Sequence, residues 1–330
     1  MTDPGTVQSL AIVIPVYQGE HTLERVVEEI LSLDQKFDVD GTWLEIAEIV
    51  VVHDGAVDDS ASVIEALAAR HPTVQPVWLS RNFGQHPAVV AGIASTSTDW
   101  IVTMDEDGLH DPRSIADMVR TAHDEGADLV YGTPSREIPH PWYRNLTSAL
   151  AKRCFRLLTG SADAYTFTSY RLVDGVIARS LAAYYGEGIY LDVALTWVVG
   201  ATGYQAVEYR PELRQSEQRS GYDLHRLLSH FRRLVVSSGT RPLRAVAAMG
   251  ILAMLGGIVT AVVVALLRIF GDIPAQGWAS VMIAMAIFSG LILTALGVIA
   301  EYLSVAISMA SGRPPYLTIH RPPHSHARRR

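Results

Sequence analysis

The chain has 330 residues and a formal charge of −7, with 49% hydrophobic and 18% charged side chains. That is too apolar for a disordered chain. The single cysteine, Cys154, excludes a disulfide framework or a multi-thiolate metal site, and the net negative charge argues against nucleic acid as the main partner. The charge is divided: residues 1–130 carry 23 acidic and 6 basic side chains, residues 131–330 carry 11 and 21. The pattern suggests an acidic catalytic half and a half that meets an anionic surface.

In chain order, strand and helix patterns alternate through the first 130 residues. "LAIVIPVY" (10–17) is a continuous apolar strand, followed by a helical face of Leu23, Val26, Val27, Ile30 and Leu31. "EIVVVHDG" (48–55) is a second strand, and Ser60 can cap a helix through Ala69. "VQPVWL" (74–79) predicts a third strand, residues 87–97 a helix and "WIVTM" (100–104) a fourth strand. Asp111 and Pro112 read as N-cap and first position of a helix bearing Ile115, Met118 and Val119, and "DLVYG" (128–132) as a fifth strand. Repeated strand–helix units with β-branched strands imply a parallel sheet covered on both faces, with ligands at the carboxyl ends of its strands.

Farther along, residues 141–158 put Trp142, Leu146, Leu150, Cys154 and Leu157 on one face with arginines and a lysine around it. Residues 222–236 repeat the design with Leu224, Leu227, Leu228, Phe231 and Val235. Basic amphipathic helices of this kind either lie in a headgroup region or pack on the domain's own core. Ala245–Leu267 and Trp278–Ala300 are then two uncharged runs of 23 residues, each long enough to cross a bilayer, joined by a connector with Gly271, Pro274 and Gly277. Arginines at 232, 233, 241 and 244 precede the hairpin and those at 313, 321 and 328–330 follow it. The positive-inside rule thus predicts two transmembrane helices with both termini and the first 240 residues in the cytosol. Glu301 is expected at the inner end of the second helix, where an acid reaches the interface. The short apolar run 10–17, broken by Pro15 and without a basic flank, is not expected to be a signal peptide.

The carboxyl ends of the predicted strands carry the chemistry. Strand one runs into Pro15, Tyr17 and Glu20, strand two into His53, Asp54, Asp58 and Asp59, strand four into Asp105, Glu106 and Asp107. Acids gathered at one sheet edge repel unless a cation or polar ligand sits among them. Asp105 and Asp107 supply two hard oxygen ligands of the kind that hold Mg²⁺ or Mn²⁺ against a diphosphate. By itself an Asp-x-Asp also fits a solvated acidic turn. Neither a Gly-x-Gly-x-x-Gly nor a Gly-x-x-x-x-Gly-Lys loop is present to bind phosphate through backbone amides.

The series "IVIPVYQGE", "VVVHDGAVDDS", "SRNFGQH", "VTMDEDGLHDP", "SYRL" and the hairpin resembles the family 2 glycosyltransferases that load a sugar onto a polyisoprenyl phosphate, the dolichyl-phosphate mannose synthase and bactoprenol glucosyltransferase type. The resemblance covers nearly the whole chain. It implies an α/β GT-A (Rossmann-like) cytosolic domain at 1–240, amphipathic interfacial helices, a transmembrane hairpin within 241–305 and a basic tail at 306–330. It also implies inverting transfer from a nucleotide-sugar, a UDP-hexose first and GDP-mannose second, with Mg²⁺ or Mn²⁺ as cofactor. The partners are the lipid bilayer and a polyprenyl phosphate acceptor, with homo-oligomerisation left open.

Position by position, the resemblance gives Pro15, Tyr17 and Glu20 to the nucleoside pocket, Asp54 to the base, Asp105 and Asp107 to metal and diphosphate, and Arg81 and Asn82 (with Phe83 and Gly84) to a motif near the donor. Arg171 matches the arginine of a Phe-Arg-Leu segment, which with Asp105 and Asp107 makes it a candidate catalytic residue, and Ser220 and Tyr222 match a Ser-x-Tyr close before the membrane. Arg136, Arg144 and Arg219 are candidates for the acceptor phosphate, since guanidinium suits phosphate. His86 is a candidate for the diphosphate, and Asp192 either orients the sugar or acceptor or caps a helix.

Four positions depart from the family's pattern. His53 stands where an aspartate is usual. Leu109 replaces a glutamine near the metal, leaving His110, Asp111 or water as third ligand. Ser169 and Thr166 replace acids before the Phe-Arg segment, so no catalytic base is assigned. A phosphate acceptor is already ionised at neutral pH and needs none. A processive synthase would carry more membrane helices and a Gln-x-x-Arg-Trp motif. The departures also leave open a non-catalytic membrane scaffold.

Overall fold

The computed structural model describes residues 7–33, 36–39, 42–134, 168–186, 189–199, 204–209, 241–270, 277–312 and 314–320. The two amphipathic segments, 141–158 and 222–236, lie outside the described residues, as do Arg136, Arg144, Arg219, Ser220 and Tyr222. The chain divides into two compact units, one containing the sheet and the other the two long helices.

Within the first unit the strands are β1 (Val7–Val16), β2 (Lys36–Val39), β3 (Thr42–His53), β4 (Val74–Leu79), β5 (Trp100–Thr103), β6 (Leu129–Pro134), β7 (Arg171–Asp174), β8 (Tyr204–Tyr209) and β9 (Thr318–Ile319). The helices are α1 (Leu23–Leu31), α2 (Ser60–Arg70), α3 (Gln85–Ala94), α4 (Ile115–Glu125), α5 (Gly175–Tyr184) and α6 (Leu191–Val199). Among the described residues these strands form one sheet in the order β8-β6-β7-β5-β1-β3-β4-β9, with β2 paired to β3.

The five strands read from the sequence are all present. β4, β3, β1 and β5 run parallel, as their apolar, β-branched runs require. The expectation of a purely parallel sheet is corrected by β7, which pairs antiparallel with β5 on one side and β6 on the other. Only four residues long and opening on a buried arginine, β7 has neither the alternation nor the apolar run that marks a strand in sequence.

Alternate residues of each strand feed two cores. Ile12, Ile14, Ile49 and Val51 pack with α1, α2 and α4 on one face, while Val13, Val50, Val52 and Ile101 pack with α3, α5 and α6 on the other. The helix starts follow local chemistry. Asp111 accepts from the Arg113 amide at 3.0 Å, with Pro112 opening a short 3₁₀ turn that runs into α4, and Gly126 closes that helix at φ +61°. Ser60 does not cap α2 as expected: its Oγ donates to Asp58 Oδ1 at 2.5 Å and accepts from the Gly19 amide at 3.0 Å, tying α2 to the loop after β1.

The second unit holds α7 (Arg241–Phe270) and α8 (Trp278–Ala310), in which Gly257 faces the Phe288 ring. Within α8, Phe288–Ile307 is apolar and long enough, at 20 residues, to cross a membrane, while α7 has a shorter apolar run, Val246–Val259. α8 starts where the sequence predicts but runs ten residues past Ala300, since no proline interrupts it before Pro314, so Glu301 lies inside the helix and not at its end. After α8 the chain rejoins the sheet. Thr318 and Ile319 pair antiparallel with Leu79 and Trp78, and the Ser80 amide donates to the Leu317 carbonyl at 2.9 Å.

Candidate active site

The strand order reverses between β1 and β5: the chain proceeds outward from β1 through β3 to β4, then crosses back by α3 to β5. In an open α/β sheet such a reversal opens a crevice beyond the carboxyl ends of the strands. A cavity of about 410 Å³ lies there. It is lined by Pro15 and Val16 at the end of β1 and Tyr17 and Gln18 after it, Asp54 after β3, Asn82, Gly84 and Gln85 after β4, and Asp105, Glu106 and Asp107 after β5, together with Thr22.

Asp54 organises the wall after β4. Its Oδ1 accepts from the Phe83 amide at 2.7 Å and its Oδ2 from the Gly84 amide at 2.9 Å. Burial pushes this carboxyl above its ordinary range, with the two amides and Arg81 pulling the other way. Gly55, at φ +61°, follows directly and lies against the backbone of Arg81 and Asn82, where a side chain has no room. Arg81 stacks its guanidinium 4.0 Å from the centre of the Phe83 ring.

Asp105 and Asp107 both reach the cavity. Asp105 is clamped on both oxygens: Gln85 Nε2 donates to Oδ1 and Ser169 Oγ to Oδ2, each at 2.6 Å. Asp107 accepts the Leu109 amide on Oδ1 at 2.9 Å, in a turn that places Gly108 at φ +73°. Between them, Glu106 faces the loop after β1, accepting from the Tyr17 amide at 3.1 Å and the Gln18 amide at 3.0 Å. Burial raises the Glu106 carboxyl from 4.5 to about 7, against the pull of the Gln18 and Tyr17 amides, with Asp58 and Asp105 pushing the same way as burial.

Among the described residues no group of three or more His, Cys, Asp or Glu is arranged to hold a metal. Two carboxylates at the mouth of a polar cavity nevertheless fit Mg²⁺ or Mn²⁺, hard ions that take one or two protein carboxylates and fill their remaining positions with water and phosphate oxygens. Neither residue considered for the third ligand position fills it here. His110 turns inward, its Nδ1 accepting from the Asp105 amide at 3.1 Å and its ring stacked 4.8 Å from that of Tyr170. Asp111 caps the turn before α4.

The other predicted residues fall outside the cavity lining. Glu20 lies on the neighbouring surface, where Oε2 accepts from the Asp59 amide at 3.3 Å. His53 is buried beside Trp78, ring centres 5.3 Å apart, with no hydrogen-bond partner for Nδ1 among the described residues; burial lowers its pKa, against the pull of Asp58. Arg171 is 2% exposed and pairs with Asp192, itself 3% exposed, which also accepts from Tyr131 Oη at 3.1 Å. Burial is the largest influence and works to lower the guanidinium pKa, but Asp192 together with Tyr131, Tyr190 and Asp105 outweighs it, so the net shift is upward. Asp192 lies outside the cavity lining and is the buried counter-ion of Arg171.

Sequence reasoning assigned no role to Glu106, Gln18 or Gln85. For Glu106 the signal was the density of acids itself: a third carboxylate between Asp105 and Asp107 needs partners of its own, and it finds them in the Tyr17 and Gln18 amides. For Gln85 it was Gly84, whose φ of +95° turns the chain into α3 and leaves Gln85 at the helix start beside Asp105.

An open, mostly parallel α/β sheet with an acidic crevice at its reversal point places the chain in the doubly wound, Rossmann-like class, in which ligands bind at that crevice. Residues 11–171 match the family described as glycosyl transferase family 2. It is 26% identical over 324 residues to the undecaprenyl-phosphate 4-deoxy-4-formamido-L-arabinose transferase of Edwardsiella ictaluri, covering 96% of this chain and 95% of that one. It is 27% identical over 312 residues to the uncharacterized glycosyltransferase YkcC of Bacillus subtilis, covering 93% and 92%. Among solved structures, glucosyl-3-phosphoglycerate synthase from Mycobacterium tuberculosis in complex with uridine diphosphate matches with a TM-score of 0.50 and 20% identity, covering 71% of this chain and 80% of that one. The fold is thus of the GT-A type.

Proposed function

We propose that the chain is a membrane-bound, inverting glycosyltransferase that moves a sugar from a nucleotide-sugar to a polyprenyl phosphate. The observation that carries this reading is the acidic cavity at the sheet's reversal point, in a chain that matches a transferase acting on undecaprenyl phosphate along almost its whole length. A UDP-hexose is the favoured donor and GDP-mannose the second.

In this reading Pro15, Tyr17, Asp54 and Asn82 bound the nucleoside end of the cavity, and Asp105 and Asp107 would hold Mg²⁺ or Mn²⁺. The ion's contribution when bound is to neutralise charge on the donor diphosphate as it departs. An oxygen of the lipid phosphate attacks the anomeric carbon, the carbon–oxygen bond to the diphosphate breaks, and the nucleoside diphosphate leaves with the electron pair. The attacking phosphate is already ionised, so no proton moves and no protein base is required. Asp54, locked to the Phe83 and Gly84 amides, fixes the loop that carries Asn82 and Gln85, and Glu106 fixes the loop that carries Tyr17 and Gln18. Such fixed walls lower the orientational cost of in-line attack. Arg136, Arg144, Arg219, Ser220 and Tyr222 belong to the acceptor side of the proposal.

Chain connectivity supports two membrane crossings. β8, before the long helices, and β9, after them, belong to one sheet. If Phe288–Ile307 spans a bilayer, the chain must cross a second time to return to that sheet, and α7 is the helix available to do it. Both ends of the hairpin then share the side of the catalytic domain, in agreement with the arginines that flank it.

The test is a donor screen on the full-length protein in detergent, with undecaprenyl phosphate, Mg²⁺ or Mn²⁺ and single nucleotide-sugars, the lipid product read by mass spectrometry. One donor should give a lipid-phosphate sugar that EDTA abolishes and that Asp107→Ala reduces about a thousandfold or more, about 4 kcal/mol of transition-state stabilisation. Wild-type turnover in Asp107→Ala would overturn the metal assignment. Nucleotide binding without product from any donor would overturn the catalytic reading.

A further inference from the structure

The antiparallel pairing of β7 with β5 brings Ser169, the residue two before β7, against Asp105 at the cavity. In the β5–β7 register Thr103 stands opposite Arg171. Two residues beyond Thr103 is Asp105, and two residues before Arg171 is Ser169, so the same register sets these two across from each other. Their side chains meet, Ser169 Oγ donating to Asp105 Oδ2 at 2.6 Å. Ser169 is itself held from behind. Its carbonyl accepts from Thr103 Oγ1 at 2.6 Å, and that hydroxyl accepts in turn from Arg171 Nε at 3.0 Å. Arg171 is fixed by its buried pairing with Asp192.

We propose that Ser169 is a positioning residue for the divalent cation: its hydroxyl holds the Asp105 carboxylate in the orientation that receives the ion, and the Asp192–Arg171–Thr103 chain holds Ser169 in place. The inference rests on the reading of Asp105 and Asp107 as the metal carboxylates. A carboxylate on a loop turns freely about its side-chain torsions. Two hydrogen bonds, from Gln85 on one oxygen and Ser169 on the other, remove that freedom before any ligand arrives. Each oxygen retains a second lone pair for a cation. Such outer contacts typically change metal affinity about 10- to 100-fold when removed. The arrangement also gives the buried ion pair a consequence at the site without either member touching substrate. Arg171 acts on Asp105 through Thr103 and Ser169, whereas the resemblance would have it act directly.

The experiment is Mn²⁺ binding to the full-length protein in detergent, measured from the electron paramagnetic resonance of free Mn²⁺, alongside thermal unfolding. Ser169→Ala should weaken Mn²⁺ binding by about tenfold or more with its unfolding temperature close to wild type, and Ser169→Thr, which keeps the hydroxyl, should restore most of the affinity. Wild-type affinity in Ser169→Ala, or a Ser169→Thr variant as weak as Ser169→Ala, would overturn the proposal. Asp107→Asn separates the two levels of the argument. If it loses Mn²⁺ binding while Ser169→Ala does not, the metal site stands and only the role of Ser169 falls. If Asp107→Asn binds like wild type, the metal reading fails and the role of Ser169 with it.

Discussion

The two halves of the sheet build the site by different means. In the parallel half, β4, β3, β1 and β5 end together, and the loops beyond them deliver Tyr17, Asp54, Asn82 and the 105–107 acids to one crevice. In the other half, β7 enters antiparallel between β5 and β6 and places a buried ion pair behind the crevice. Acids on short loops can be altered with little cost to the fold. A buried pair cannot, because removing one partner strands the other charge in a poorly solvating interior. The parallel half should therefore answer mutation in activity, and the antiparallel half in stability as well.

The largest effect on that contrast is expected at the pair. Arg171→Met leaves the Asp192 carboxylate buried without its counter-ion and should cost about 3–5 kcal/mol of stability, seen as a marked fall in unfolding temperature of the full-length protein in detergent. Adding Asp192→Leu should recover much of the loss, since an apolar pair of similar volume removes the stranded charge. If Arg171→Met unfolds like wild type, the two halves do not differ in the way described.

A smaller effect is expected from Glu106, on the parallel side. Its carboxyl is raised by burial from 4.5 to about 7, so in metal-free protein the folded state holds a proton there that the unfolded state has released. A raised pKa contributes stability that is fully present below the unfolded value and is lost as pH rises through the folded one. The stability of wild type relative to Glu106→Gln should thus decline across the window from 4.5 to about 7 and level off above it. Unfolding temperatures of both proteins in EDTA across that window check the sign, and an opposite slope would place Glu106 in a different environment.

The same contrast sets how much the sequence disclosed. The parallel strands were readable because each is a mostly apolar run, β1, β3 and β5 being rich in β-branched residues with β3 and β5 closed by acids, and their order in the chain already implied that the acids share an edge. The cavity residues Pro15, Tyr17, Asp54, Asp105 and Asp107 followed from that edge, and Asn82 from the family resemblance. β7 was not readable. It is short, opens on a charge, and takes its place only by pairing with strands about 40 and 70 residues earlier in the chain, a non-local choice that no local periodicity records. Arg171 was accordingly assigned to the reaction on resemblance, while its burial against Asp192 depends on α6 packing behind the sheet. The length of α8 was misjudged for a simpler reason: Glu301 ends the uncharged run but does not end the helix.

The central claim is that an already ionised acceptor phosphate attacks the sugar without a protein base. The most direct measurement supplies the full-length enzyme and its donor with polyprenyl phosphate or, separately, with the corresponding uncharged polyprenol, and follows transfer of labelled sugar into the lipid phase. The account predicts product with the phosphate alone. Comparable product with the polyprenol would contradict it, because an alcohol must lose a proton to attack and would require a base that the account omits.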